Sequence, residues 1–233
     1  MTNTARKALT GLVLAGLIAG CSSNVTLQAP AIPVPLTERI PVSVGLRMPA
    51  DFYSFVHQEE VYGREEWSID LGNSNAKFFT QLFGHMFRDL KVLEDGDDPQ
   101  SFDIDALIEP SIDAFEFSVP NQSKTNSFAV WIRYRLKVYD RGGTLVSNWP
   151  VSAYGKSQTK SISNSDALQR AAVLAMRDAA ALMIMKFDDV TKISSLAGQP
   201  TPVAAPVAVP STGDSEDDGV QVTGVEGRDD ETG

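Results

Sequence analysis

Cysteine is almost absent from this chain. Among 233 residues only Cys21 is one, so no disulfide can form within a copy and the fold must rest on a packed core. Histidine is nearly as scarce, with His57 and His85 the only two. There is no H-E-x-x-H pair, no G-x-S-x-G elbow, no phosphate-binding loop and no dinucleotide fingerprint. The chain therefore reads as a non-enzyme, with no metal and no cofactor expected. Glu59-Glu60 and Glu65-Glu66 are consecutive, so each pair points apart on a helix or a strand, as solvated charges do and an acid–base couple does not. Positive charge is also short: 20 Lys and Arg face 30 Asp and Glu, a net charge of -10. Binding a phosphate backbone needs concentrated Lys and Arg, which argues against nucleic acid as a partner. Finally, the apolar run Ala8 to Ile18 falls short of the ~20 residues that cross a bilayer.

What that run does have is its setting. Arg6 and Lys7 precede it, and Ile18-Ala19-Gly20-Cys21 follows, the pattern of a bacterial lipobox. The expectation is a lipoprotein signal peptide over 1–20, removed so that Cys21 becomes the first mature residue and carries acyl chains such as palmitate. Each buried methylene contributes ~0.8 kcal/mol; one chain holds marginally, whereas two or three hold firmly. Ser22 stands where an Asp commonly retains such proteins in the inner membrane. The expected location is the outer membrane, lipid-anchored, on its periplasmic face. Losing Arg6 and Lys7 with the leader leaves a mature charge of -12.

Beyond the anchor the chain divides by composition. Residues 21–41 carry Pro30, Pro33, Pro35 and Pro41 and read as a tether, although part of Val25 to Leu36 could pair as an edge strand. Residues 42–196 form the expected periplasmic domain. Residues 197–233 hold eight acids against Arg228 and read as a disordered acidic tail.

Within the domain, Val42 to Leu46 and Trp67 to Leu71 read as strands, and Asn73 or Ser74 as a helix cap. The helix over 75–89 places Phe78, Phe79, Leu82, Phe83 and Met86 on one face. A strand at 90–93 ends in an acidic turn, 94–99, which lacks the ligand spacing of a calcium loop. Ile104, Ala106 and Ile108 are out of phase with Phe115, Phe117 and Val119, which calls for a bulge near Pro110. Phe128 to Tyr139 alternates most clearly, turns at Asp140-Arg141-Gly142-Gly143 and returns over 144–159. Asn164 or Ser165 then caps an Ala-rich helix over 166–187, where Met176, Met183 and Met185 fill a core or line a groove. The class predicted is α+β: a small, mostly antiparallel sheet with about two helices on one face.

The strand at 128–139 also carries the one candidate surface. Trp131, Arg133, Arg135 and Lys137 share its wet face at ~7 Å spacing, as a partner-binding patch or as the ordinary solvated side of a sheet.

This succession of elements, with Phe78-Phe79-Thr80-Gln81-Leu82-Phe83 and Ser165-Asp166-Ala167-Leu168-Gln169-Arg170-Ala171-Ala172 as its clearest stretches, resembles the YajG-type family of outer-membrane lipoproteins. The resemblance spans about 27 to 187 and implies location more than mechanism. A similar unit occurs in auxiliary lipoproteins of lipid transporters and in penicillin-binding-protein activators. The leading expectation is thus a non-enzymatic lipoprotein whose domain docks onto another envelope protein. The alternative is a lipid- or lipopolysaccharide-handling accessory component that holds acyl chains between the Phe-bearing helix and the sheet. Peptidoglycan binding is a third possibility, with no motif behind it.

Overall fold

The computed structural model describes residues 21–61, 65–122, 125–160 and 162–198. The expected signal peptide, 1–20, and all but the first two residues of the expected acidic tail, 197–233, lie outside them. Eight strands and three α-helices are present among the described residues, which is the α+β class.

Five strands form the main sheet. β2 (Ile40–Arg47), β5 (Phe87–Leu93), β6 (Ala106–Ser118), β7 (Ser127–Asp140) and β8 (Leu145–Gln158) lie in the order β5-β2-β6-β7-β8. β6, β7 and β8 make an antiparallel meander, whereas β2 runs parallel to both of its neighbours. The sheet is therefore mixed. Parallel pairing needs a long crossover, and the chain supplies one between β2 and β5 through α1 (Ala50–Tyr53), β3 (Val56–Val61), β4 (Glu65–Asp70) and α2 (Gly72–Met86).

A second sheet, of three strands, was not expected. It has the order β1-β4-β3, and its β1 is Cys21–Thr26, inside the segment read as a tether. β1 runs parallel to β4, Leu27 continues it by donating to the Asp70 carbonyl, and Val25, Leu27 and Ile32 are buried. The edge strand read as possible within Val25 to Leu36 is met at Val25 and Thr26, and Cys21 to Asn24 extend it toward the N-terminus. The prolines begin only at Pro30, so the residues before it keep their N–H groups and can join an edge.

α2 and α3 (Asn164–Thr191) cover one face of the main sheet, and Trp67 and His57 of the small sheet reach the same face at Phe117, Phe128 and Phe115. α2 starts earlier than its sequence suggests. Asp70 accepts from the Gly72 amide, while Ser74 and Asn75 sit inside the first turn and donate to the Leu71 carbonyl, so neither Asn73 nor Ser74 is the cap. The start is fixed by packing, because a Cβ on Gly72 would lie 1.8 Å from the Tyr53 carbonyl oxygen of α1. The helix ends at Met86 because Phe87 turns extended, and from there its ring meets Phe83 and Phe187.

α3 is capped by Ser163, one residue before the expected Asn164 or Ser165: its hydroxyl accepts from the Asp166 amide and donates to the Asp166 carboxylate. The inward side of α3 carries Ala171, Ala172, Ala175 and Ala179, all buried. Small residues let the helix sit on β8, and at the contact a Cβ on Gly155 would come within 2.0 Å of the Ala171 carbonyl oxygen. α3 also closes part of the β8 edge, since Asp178 accepts from the Tyr154 amide at 3.0 Å.

The core is aromatic. Phe78 and Phe79 pack on Tyr134 of β7, Phe79 on Phe52 and Phe83, and Phe187 of α3 on Phe83, Phe87 and Trp149. Tyr134 donates its hydroxyl to the Asn75 side chain, and burial holds its phenol far above the ordinary tyrosine range. Met176 and Met183 are wholly buried as core filling; Met185 is exposed.

Candidate docking face

Among the described residues no helix lies on the other face of the meander. In β7 the even positions from Phe128 to Val138 are buried, which leaves Trp131, Arg133, Arg135 and Lys137 on the opposite side as strand alternation requires. The four expected residues do share one surface. β8 runs beside them with Val151, Ala153 and Gly155 inward, so Ser152, Tyr154 and Lys156 point outward too.

Register decides what meets what. Trp131 lies opposite Glu116 of β6 and Tyr154 of β8, and its ring stands 5.1 Å from that of Tyr154, tilted by 48°. Both aromatics are conspicuously open, 44% exposed for Trp131 and 43% for Tyr154. Arg133 lies between Ala114 and Ser152, whose short side chains leave a hollow of about 260 Å³ bounded by Trp131 and Glu116. Lys137 lies opposite Glu109, but Glu109 is engaged by Arg47 at 2.6 Å, which leaves Lys137 exposed.

One residue of this face escaped the sequence reading. The β6–β7 register slips between Ile112 and Ala114, so the bulge sits at Asp113, three residues beyond the expected Pro110. The extra residue rotates the later half of β6 and brings Phe115 and Phe117 inward. It also turns the Asp113 carboxylate toward the cations: Asp113 takes two hydrogen bonds from Arg135 and lies 4.0 Å from Arg133. These bonds hold the Arg135 guanidinium above even its usual high range. The signal was present as the phase break itself, since the residue inserted there is an acid. Arg133, Arg135, Lys137 and Lys156 still outnumber Asp113 and Glu116, on a chain that is acidic as a whole.

A second polar cluster sits at the far end of the sheet under the 94–105 loop. The nearly buried Asp105 carboxylate accepts from the Ser43 and Gly198 amides and from Arg141, and Arg88 approaches to 3.5 Å. These contacts tie four separate segments to the Asp105 loop, which is a structural task. The acidic turn is likewise satisfied internally, with Asp97 accepting from the Glu94 amide and Asp98 from that of Gln100.

The remaining expectations fall as follows. Cys21 is the first described residue and opens β1 opposite Glu65. His57 lies against Phe115 and Phe117 with Glu59 at 3.1 Å, and His85 is in the last turn of α2. Among the described residues no three His, Cys, Asp or Glu gather as a metal site, and no helix is long and apolar enough to cross a membrane. The interface between the Phe-bearing helix and the sheet is closed: Phe78, Phe79, Leu82 and Phe83 are fully buried and ring touches ring. Acyl chains therefore have no room where the lipid-handling alternative placed them.

No family model matches the chain, and no curated protein does. Solved structures give loose likenesses. A minor lipoprotein from Acinetobacter baumannii is similar over 69% of this chain and 94% of its own, with 13% identity and a TM-score of 0.35. A hypothetical protein from Chlamydia trachomatis is similar over 64% and 97%, with 6% identity and a TM-score of 0.40. A lipoprotein from Neisseria meningitidis is similar over 54% and 90%, with 12% identity and a TM-score of 0.27.

Proposed function

We propose that this chain is a lipid-anchored lipoprotein of the bacterial outer membrane, without enzymatic activity, whose periplasmic domain docks through the outer face of β6–β8 onto an acidic surface of another envelope protein. The lipobox ending at Cys21 supports the anchor, and the YajG-type resemblance agrees with it. The observation that carries the docking is the uncovered face itself. It combines an open aromatic pair, Trp131 and Tyr154, with a local excess of Arg and Lys on an acidic chain. Exposed aromatic residues beside arginine are what binding hot spots use, and complementary charge sets the encounter rate and the register.

Two experiments test the reading separately. Cys21→Ser is expected to stop uptake of labelled palmitate and release the protein from the membrane fraction; retention with label would defeat the anchor. Reversing Arg133, Arg135 and Lys137 to Glu is expected to abolish the crosslinked complex captured from intact cells, with salt weakening the wild-type complex in the same direction. Equal capture by the triple variant would leave the face as a solvated sheet side.

A further inference from the structure

The Pro-rich segment that follows β1 passes over α3 without packing flat on it. Pro33 and Pro35 fix their own backbone angles, and the helix offers Ala180 and Ala181 where longer side chains would fill the gap. An open trough of about 610 Å³ remains, walled by Ile32, Pro33, Pro35, Ala181 and Ile184. That lies within the ~300–1,000 Å³ of small-ligand sites. Arg177 is the one charged residue lining it; it is exposed and makes no ion pair among the described residues.

Charge is graded along the trough. Residues 177, 181 and 184 fall on one stripe of α3, so the trough runs roughly 10 Å along the helix axis. Arg170 lies two turns before Arg177 on that stripe, while Asp188 and Asp189 follow Ile184 and border a neighbouring hollow with Glu38. An anion is thus favoured at the Arg177 end and repelled from the other. The most exposed large apolar residues also belong to these two segments: Leu36 at 106%, Met185 at 65% and Val34 at 64%.

We propose that this trough holds the headgroup-proximal part of one acyl chain of an anionic membrane lipid, with the lipid phosphate at Arg177. The closed Phe interface cannot serve that purpose, and the trough offers carbon walls with the Arg177 guanidinium, unpaired among the described residues, at one end. The inference depends on the anchored reading only for its supply of lipid.

The test uses the mature chain, residues 21–233 with Cys21→Ser, which lacks both the acyl chains and the apolar leader run Ala8 to Ile18, and calorimetry below the micellar concentration. The probes are palmitoyl lysophosphatidylglycerol and monopalmitoylglycerol, which share a tail and differ in the phosphate. One equivalent of the phosphate probe is expected to bind, about tenfold more tightly than the neutral one. Arg177→Glu should erase that difference, and Ala181→Trp should abolish binding of both probes. Should Ala181→Trp melt early, Arg177→Glu decides alone, because Arg177 is exposed and its reversal leaves the core untouched. Absence of binding, or binding that neither substitution alters, overturns the proposal. So does a photocrosslinker at Ala181 of the lipidated protein in cells that labels protein and no lipid. Palmitate uptake by the wild-type chain reports on the anchor independently, so the two readings fail in different measurements.

Discussion

The two faces of the main sheet are built by the same strands and behave as different materials. Along β7 the inward residues are wholly buried, and Tyr134 alone touches two phenylalanine rings at 5.2 and 6.1 Å. The outward residues of that strand, a position away in sequence, are open to solvent and meet one bulged carboxylate, the Asn148 side chain and a neighbouring tyrosine. Burial makes the first face stabilising and intolerant of change. Exposure makes the second contribute little to stability and leaves it free to change with a partner.

Substitutions can break or sharpen that contrast, and the largest effects belong to the inner face. Phe83→Ala removes a ring that touches Phe79, Phe87 and Phe187, and is expected to cost about 3–5 kcal/mol in urea unfolding. Gly155→Val pushes a side chain into the backbone of α3 and should cost about 1–3 kcal/mol, visible as a lower melting temperature. Tyr134→Phe keeps the ring and strands the Asn75 side-chain oxygen, at about 1–3 kcal/mol by the same measurement.

On the outer face the scale falls. Reversing Arg133, Arg135 and Lys137 together should lower the melting temperature only slightly, because Arg133 and Lys137 are exposed; what is lost comes from Arg135, whose two hydrogen bonds to Asp113 give way to like charge. Asp113→Asn should be smaller still in stability and opposite in function: it unburdens Arg133 and Arg135, so capture of an acidic partner should rise. If that variant captures less, Asp113 is a contact and not a counterweight.

The elements that could be read from sequence are those with a dominant period. β7 alternates over its whole length, α2 shows its Phe stripe, and α3 its alanines; all three appear where the pattern puts them, with ends displaced by a few residues. The ends move because packing sets where each helix begins: α2 starts at Gly72 with no side-chain cap, and α3 starts at Asn164 with Ser163 as its cap in place of Asn164 or Ser165. Of the small sheet only β4, read as Trp67 to Leu71, was legible; its partners were not, for the opposite reason. β3, Val56-His57-Gln58-Glu59-Glu60-Val61, has no apolar alternation, and it is held by pairing with β4 and by His57 against two phenylalanines. Of the candidate site, the β7 cations and Trp131 were legible from alternation alone. Tyr154 needed the phase of β8, and Asp113 needed the exact position of a bulge that the phase break located only to within three residues.

The edge of β8 carries a consequence for how any partner can approach. The Tyr154 amide points away from β7 and is taken by Asp178, so every second residue along this stretch turns its backbone outward in the same way. Pro150 occupies one of those outward positions and has no N–H to offer. With one donor occupied and another missing, the middle of this border cannot recruit a foreign strand and extend the sheet sideways. At this margin a visitor must land broadside, on side chains, where its affinity can be tuned by substitution without strands being added to β8.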